Sequence, residues 1–277
     1  MSIISNDIID KSINKAFKGG ISGSSAMIVQ VTSLMWLRTT MNYQYANGTT
    51  MTDTFKTLYK NGGIKRFYKG YSVALLQGPL SRFGDTAANM GVLELTKDMD
   101  IPIYQKTALA SITAASWRFV LMPIDATKTT LQVHGKDGMN VLKNRIKSNG
   151  VKTLWNGTTA SMSATMIGHY PWFITYNYLN SLIDTKKQVT QLEKLSKQAG
   201  IGLCASIVSD VSSNSIRVVK TIKQTSLNTL GYTEIVKNTI KNDSLNGLFF
   251  RGLKTRILAN GINGMMFSVM WKYFMDN

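Results

Sequence analysis

The chain has one cysteine in 277 residues, Cys204, so it can close no internal disulfide. Flanked by Leu203, Ala205 and Ile207, it is expected to be a small packing residue. Histidine is almost as scarce. His134 and His169, even with that thiol, cannot supply the ligands of a usual zinc site, so neither metal nor cofactor is expected. Carboxylates are few as well: 15 Asp and Glu against 32 Lys and Arg, a net charge of +17. Charged residues make up 17% of the chain, below the ~25% of ordinary soluble domains. Yet there is no clean apolar run of the ~20 residues that would span a bilayer unaided, and mean hydropathy is −0.05. Both deficits fit helices that surround a wet cavity, each with one lipid-facing stripe and one polar face.

Enzyme constellations are also missing. Gly200-x-Gly202 lacks the rest of a dinucleotide fingerprint. Ser12-Ile13-Asn14-Lys15 has no partner motif. No basic run is interleaved with stacking aromatics, so nucleic acid is not the expected partner. Met1 to Asp10 contains no arginine and is not expected to be a cleavable, Arg-rich presequence.

What the chain does have is a phrase written three times. Residues 123–132 read Pro-Ile-Asp-Ala-Thr-Lys-Thr-Thr-Leu-Gln, and altered copies start at Ser33 and Ser215. Each copy keeps a cation followed by threonine: Arg38-Thr39, Lys128-Thr129 and Lys220-Thr221. A second phrase, aromatic-x-Gly, follows each copy as Tyr68-Lys69-Gly70, Trp155-Asn156-Gly157 and Phe250-Arg251-Gly252. Seven residues before the last glycine stand Gly63, Gly150 and Leu245. Two phrases in fixed order, about 90 residues apart, divide the chain into three units. A soluble α-solenoid would repeat at 33 to 47 residues, about half this period.

The positive charge is placed, not spread. Segments 46–69, 135–157 and 225–252 carry +4, +4 and +1, whereas the connections 94–106 and 180–197 carry −1 and +2. Cationic loops on one side fit a positive-inside bias. Long helices are expected at 12–44, 71–98, 103–134, 158–184, 190–225 and 253–275. Short amphipathic ones are expected at 52–60, 139–147 and 232–241.

These phrases resemble the mitochondrial carrier family, whose repeats open with Pro-x-Asp/Glu-x-x-Lys/Arg and close on an aromatic-Lys/Arg-Gly. The resemblance runs from about Lys11 to Phe274. It implies an all-α membrane protein with six transmembrane helices. These form three pseudo-threefold-related repeats, approximately 11–100, 101–187 and 188–277, with short matrix-side helices. Residues 1–277 would form one carrier domain, a monomer, multi-pass in the mitochondrial inner membrane. It also implies roles. Arg38, Asp125, Lys128, Arg217 and Lys220 fall at the matrix gate. Gly63, Gly70, Gly150, Gly157 and Gly252 fall where the family grips cardiolipin at helix N-termini, although a turn that needs glycine explains them equally. Gln77, Ala164 and Ala259, with Thr165 and Asn260 beside them, fall at the substrate positions. Only the second repeat keeps the gate phrase intact; Ser33, Met35, Ser215 and Arg217 replace its proline and acid in the other two. Four cations against Asp125 alone should not close as a paired ring. On the opposite side, Glu94, Lys97, Asn177 and Asn180 stand near the family's second ring, with Lys272 in the third repeat.

Further ionisable residues lie mid-helix: Arg82, Asp85, Arg118, His169, Asp210 and Arg256. Such groups are costly in a membrane and default to function. The alternative is internal pairing, with Arg82 and Asp85 one turn apart. The expected function is movement of a small anionic metabolite or nucleotide by alternating access. The rival is a carrier fold that no longer transports and serves a structural or interaction role.

Overall fold

A computed structural model describes residues 6–182, 190–228 and 230–263. Among them the secondary structure is helical. The elements are α1 (Asn6–Asn47), α2 (Met51–Lys60), α3 (Gly63–Phe67), α4 (Tyr71–Leu95), α5 (Ile103–His134), α6 (Gly138–Asn149), α7 (Thr158–Leu182), α8 (Gln191–Thr225), α9 (Tyr232–Phe250) and α10 (253–263). Short 3₁₀ turns occupy Gly135–Asp137 and Val151–Trp155. The long helices match the sequence expectation closely, and the rest of the sixth, 264–275, lies outside the described residues.

Local chemistry sets the boundaries. Thr50 caps α2 by accepting from the Asp53 amide at 3.2 Å, with Lys60 at the other end complementing the helix dipole. Thr190 and Glu193 form a capping box at the start of α8. Pro79, Pro123 and Pro171 sit inside α4, α5 and α7, which continue through them.

Polarity is inverted relative to a soluble protein. Ile28, Leu76, Ile112, Phe119, Ile174, Val208 and Leu258 are exposed, whereas Gln44, Asp125, Gln132, Asn214 and Gln224 are buried. A large exposed apolar surface needs an apolar partner. Only the stretch Tyr104–Asn149 among the described residues is, by length and composition, apolar enough to cross a membrane. The other long helices spend part of their circumference on polar residues that face inward.

The packing runs around a ring. α1 packs on α4, α4 on α5, α5 on α7, α7 on α8 and α8 on α9, while α1, α5 and α8 also touch one another. α10 returns to α1, where Thr255 donates to Gln44 Oε1 at 2.5 Å. One contact recurs three times. Gly70, Gly157 and Gly252 have positive φ, and a Cβ on each would lie 3.3 Å from a carbonyl of the next long helix: Lys128, Lys220 and Met41. Only glycine combines that conformation with that approach.

An arginine holds each of the same three helix ends. Arg66 donates to the carbonyls of Gln132 and Val133 at 2.8 and 2.7 Å. Arg145 reaches the carbonyls of Gln224 and Lys223, and Arg251 that of Tyr45. A cation on the bare carbonyls of a helix C-terminus is favourable. Burial lowers the pKa of Arg66 and of Arg145.

The third unit lacks the glycine that Gly63 and Gly150 supply, and Leu245 stands there. The left-handed turn moves to Ser244, with φ 55° and ψ −165°. That region belongs almost entirely to glycine, so Ser244 is strained.

Candidate functional site

A polar cavity of about 390 Å³ lies between α1, α4, α5, α7, α8 and α10. Nine residues expected to face a substrate line it: Gln77, Arg82, Asp85, Arg118, Thr165, His169, Arg256, Ala259 and Asn260. Two do not. Ala164 is buried in packing, and Asp210 stands behind Arg256. All five residues expected at the gate, Arg38, Asp125, Lys128, Arg217 and Lys220, line the same chamber. Gate and cavity are therefore one continuous surface here.

Seven cations face two carboxylates on that surface, with Asp210 just behind. The pairing differs from the in-helix reading. Asp85 does not take Arg82 one turn away. It takes Arg118 of α5, whose Nη2 lies 2.6 and 2.7 Å from the two carboxylate oxygens. A turn of helix separates residues 82 and 85 along one axis, but the Asp85 carboxylate points across the seam. Arg118 also donates to Ser81 and, at 3.2 Å, to Thr165 Oγ1. It ties α4, α5 and α7 together. Asp210 of α8 is held by Arg256 and Asn260 of α10.

At the gate, the described residues form one cluster around Asp125 and no paired ring. Asp125 accepts from Lys128 at 2.8 Å, Lys220 at 2.5 Å and Gln224 Nε2 at 3.1 Å. One acid thus engages two cations, and Lys128 spends a further bond on Gln77 Oε1 at 3.0 Å. Arg38 and Arg217 stay outside this cluster: among the described residues neither has a carboxylate partner. Lysine ammonium groups have three donors each, which lets a single carboxylate and nearby amides absorb both.

Sequence reasoning missed the neutral ties. At the α1–α5 seam, Asn42 Nδ2 donates to Gln132 Oε1 at 2.6 Å, and Gln132 Nε2 faces Met35 Sδ at 3.5 Å. At the α1–α8 seam, Tyr45 Oη donates to Asn214 Oδ1 at 3.0 Å. A signal was present. The tenth place of the repeated phrase is an amide in every copy: Asn42, Gln132 and Gln224. Gln132 reaches the third place of the preceding copy (Met35), and Gln224 does the same to Asp125.

At the other end, Glu94 pairs with Lys15 of α1 at 2.7 Å. Asn177 and Asn180 form no hydrogen bond between helices among the described residues, and Lys272 lies outside them. Among the described residues, the Lys15–Glu94 pair is therefore the tie between helices that these groups make. His169 packs edge-on against Phe173, with ring centroids 6.4 Å apart. The five glycines do stand at or next to helix starts. A Cβ at Gly63 or Gly150 would meet open space, whereas Gly70, Gly157 and Gly252 are tightly packed.

A sequence profile described as mitochondrial carrier protein matches residues 10–99 and again 99–187. The chain is 24% identical over 201 residues to a mitochondrial thiamine pyrophosphate carrier of Lodderomyces elongisporus, covering 65% of this chain and 61% of that protein. It is 26% identical over 172 residues to a mitochondrial dicarboxylate carrier of Caenorhabditis elegans, covering 57% and 58%. It is 27% identical over 172 residues to a mitochondrial arginine transporter of Arabidopsis thaliana, covering 60% and 58%. The chain thus spans about three fifths of the length of these relatives, whose named substrates differ in charge.

Proposed function

Because the chain belongs to the mitochondrial carrier family, a family of transporters, we infer that it moves a small anionic metabolite or nucleotide across the mitochondrial inner membrane by alternating access. The reading takes residues 1–277 as one monomeric domain of three repeats, 11–100, 101–187 and 188–277, with six membrane-crossing helices. The cationic segments with α2, α3, α6 and α9 lie on the matrix side. The recurring contact of Gly70, Gly157 and Gly252 with the next long helix supports that arrangement.

The observation that carries the polarity of the substrate is the charge of the cavity. Seven cations against three carboxylates, counting Asp210, leave four positive charges around about 390 Å³. A low-dielectric wall focuses such a field and attracts anions. The relatives named for thiamine pyrophosphate and for dicarboxylates accord with this, and the arginine transporter does not.

The cycle follows from the pairing. The Asp125 cluster joins α5 to α8 and the amide ties join α1 to both, which holds one end of the chamber shut. Opening that end exchanges these bonds for water, so a substrate that contacts the same residues shifts the balance between states. Cardiolipin is proposed as a lipid partner at the glycine-led helix starts. Uptake of a broad anion panel into liposomes carrying the purified protein tests the reading. Uptake of neutral and cationic solutes as fast as anions would reverse the polarity.

The rival role, a carrier fold kept for structure or interaction, draws on Met35 and Arg217, where the acid of the repeated phrase is missing. Absence of uptake across the whole panel by a protein that melts cooperatively would favour it.

A further inference from the structure

Every carboxylate that lines or backs the cavity among the described residues is engaged. Asp85 holds Arg118, Asp210 holds Arg256, and Asp125 holds both Lys128 and Lys220. Three guanidiniums remain. Among the described residues, the Arg38 guanidinium on α1 has only Met27 Sδ at 3.9 Å. Arg217 on α8 donates, among the described residues, only to Ser213 Oγ, one turn back on its own helix, at 3.1 Å. The Arg82 guanidinium on α4 makes no hydrogen bond or ion pair among the described residues, its backbone carbonyl alone accepting from Thr86. All three line the same cavity. Arg38 lies within electrostatic reach of Arg256 and Arg82, and Arg217 within reach of Arg256, Arg118 and Asp210, the last already held by Arg256. Arginine does not shed its proton to escape such crowding.

The repeated phrase explains why this triad is left over. Its third and sixth places form the ion pair at the α5–α8 seam, where Asp125 meets Lys220. Around the ring, the corresponding places at the α8–α1 seam are Arg217 and Arg38. Where one seam has acid and base, the other has base and base.

We propose that Arg38, Arg82 and Arg217 bind a multivalent oxyanion, which replaces the absent carboxylate and draws α1, α4 and α8 together. Guanidinium forks match the paired oxygens of phosphate and carboxylate groups, and three of them on three helices suit a ligand with at least two negative charges. None of the three is at the substrate positions that the family resemblance marks, Gln77, Ala164 and Ala259. Recognition in this chain then uses two gate residues, Arg38 and Arg217, together with Arg82 of the cavity, so binding of the anion and closure of that end are one event. The binding claim stands on these residues. Only the identity of the anion as cargo rests on the transport reading.

The test uses the full-length protein in detergent at constant ionic strength, with chloride, inorganic phosphate and pyrophosphate as probes. Pyrophosphate should raise the melting temperature and bind at least about tenfold more tightly than chloride. Arg38→Gln, Arg82→Gln and Arg217→Gln should each weaken pyrophosphate about tenfold or more. Each should also melt, without anion, no lower than the parent, because a repelling charge has gone; a merely structural arginine would lower it. Lys152→Gln, on an exposed matrix-side turn, should leave binding unchanged. Where a Gln variant fails to fold, the Lys variant at that position keeps the charge, loses the fork and should bind more weakly. Equal response to chloride and pyrophosphate, or full binding in the three variants, overturns the site. Tight binding with no uptake of phosphate or pyrophosphate into liposomes identifies a resident ion and counts against transport, not against the site. Uptake that persists unchanged in all three variants spares transport and refutes the site.

Discussion

Lys220 of α8 meets Asp125 of α5 at 2.5 Å, and Lys128 shares the same carboxylate at 2.8 Å. This is the one seam among α1, α5 and α8 that ions close; the other two are closed by amide and phenol hydrogen bonds. Removing the acid should therefore cost more than one pair. Asp125→Asn leaves two part-buried ammonium groups facing each other without their buried acid, and loss of a buried partner costs about 3–5 kcal/mol. The variant should melt several degrees lower and bias the carrier toward the state open at that end. An unchanged melting temperature would remove Asp125 from the gate.

Met35→Asp makes the opposite change. Residue 35 faces the Gln132 amide, and in the ring it stands to Lys128 as Asp125 stands to Lys220. A carboxylate there should draw Lys128 and Gln132 toward α1, raise the melting temperature and slow exchange, because a stronger gate must be reopened in each cycle. Faster or unchanged uptake together with an unchanged melting temperature would count against closure at this seam.

Asp85 and Arg118 behave as a unit. Arg118→Ala strands a partly buried carboxylate and should cost about 3 kcal/mol. The double variant Asp85→Ala with Arg118→Ala should lose less than the sum of the single variants, by 0.5–3 kcal/mol or so, as contacting residues do. Strict additivity in thermal melts would show that the pair adds nothing to stability.

Ser244 should be improvable. Glycine at 244 removes the strain of φ 55° and should stabilise the protein by about 1 kcal/mol. Gly157→Ala should do the reverse and more strongly, since φ is 90° and the Lys220 carbonyl lies 3.3 Å from the new methyl group. Equal melting of Ser244→Gly and parent would mean that Ser244 carries no strain.

If cardiolipin occupies the proposed sites at the glycine-led helix starts, which exist only in the folded state, it should raise the melting temperature more than a neutral lipid does. Gly157→Pro should blunt the rise. Stabilisation to the same extent by neutral lipid would dismiss the lipid sites.

Much of the architecture was legible in one dimension. Helix ends depend on capping residues a few positions away, such as Thr50 and Thr190, and on glycines whose φ only they tolerate. The repeat of two phrases placed Gly70, Gly157 and Gly252 at matching positions before any coordinates, and the scarcity of acids foretold a cationic interior. What the linear order could not decide was partnership. Asp85 is three residues from Arg82 and 33 from Arg118, yet the carboxylate goes to the distant cation. Asp125 serves Lys220 from 95 residues away as well as its own neighbour Lys128. Coulomb attraction depends on separation in space and on the dielectric between charges, and both are set by how helices cross. The sequence by itself determined which charges would be in short supply. Only the tertiary structure decided which three arginines of the cavity would, among the described residues, be left without one.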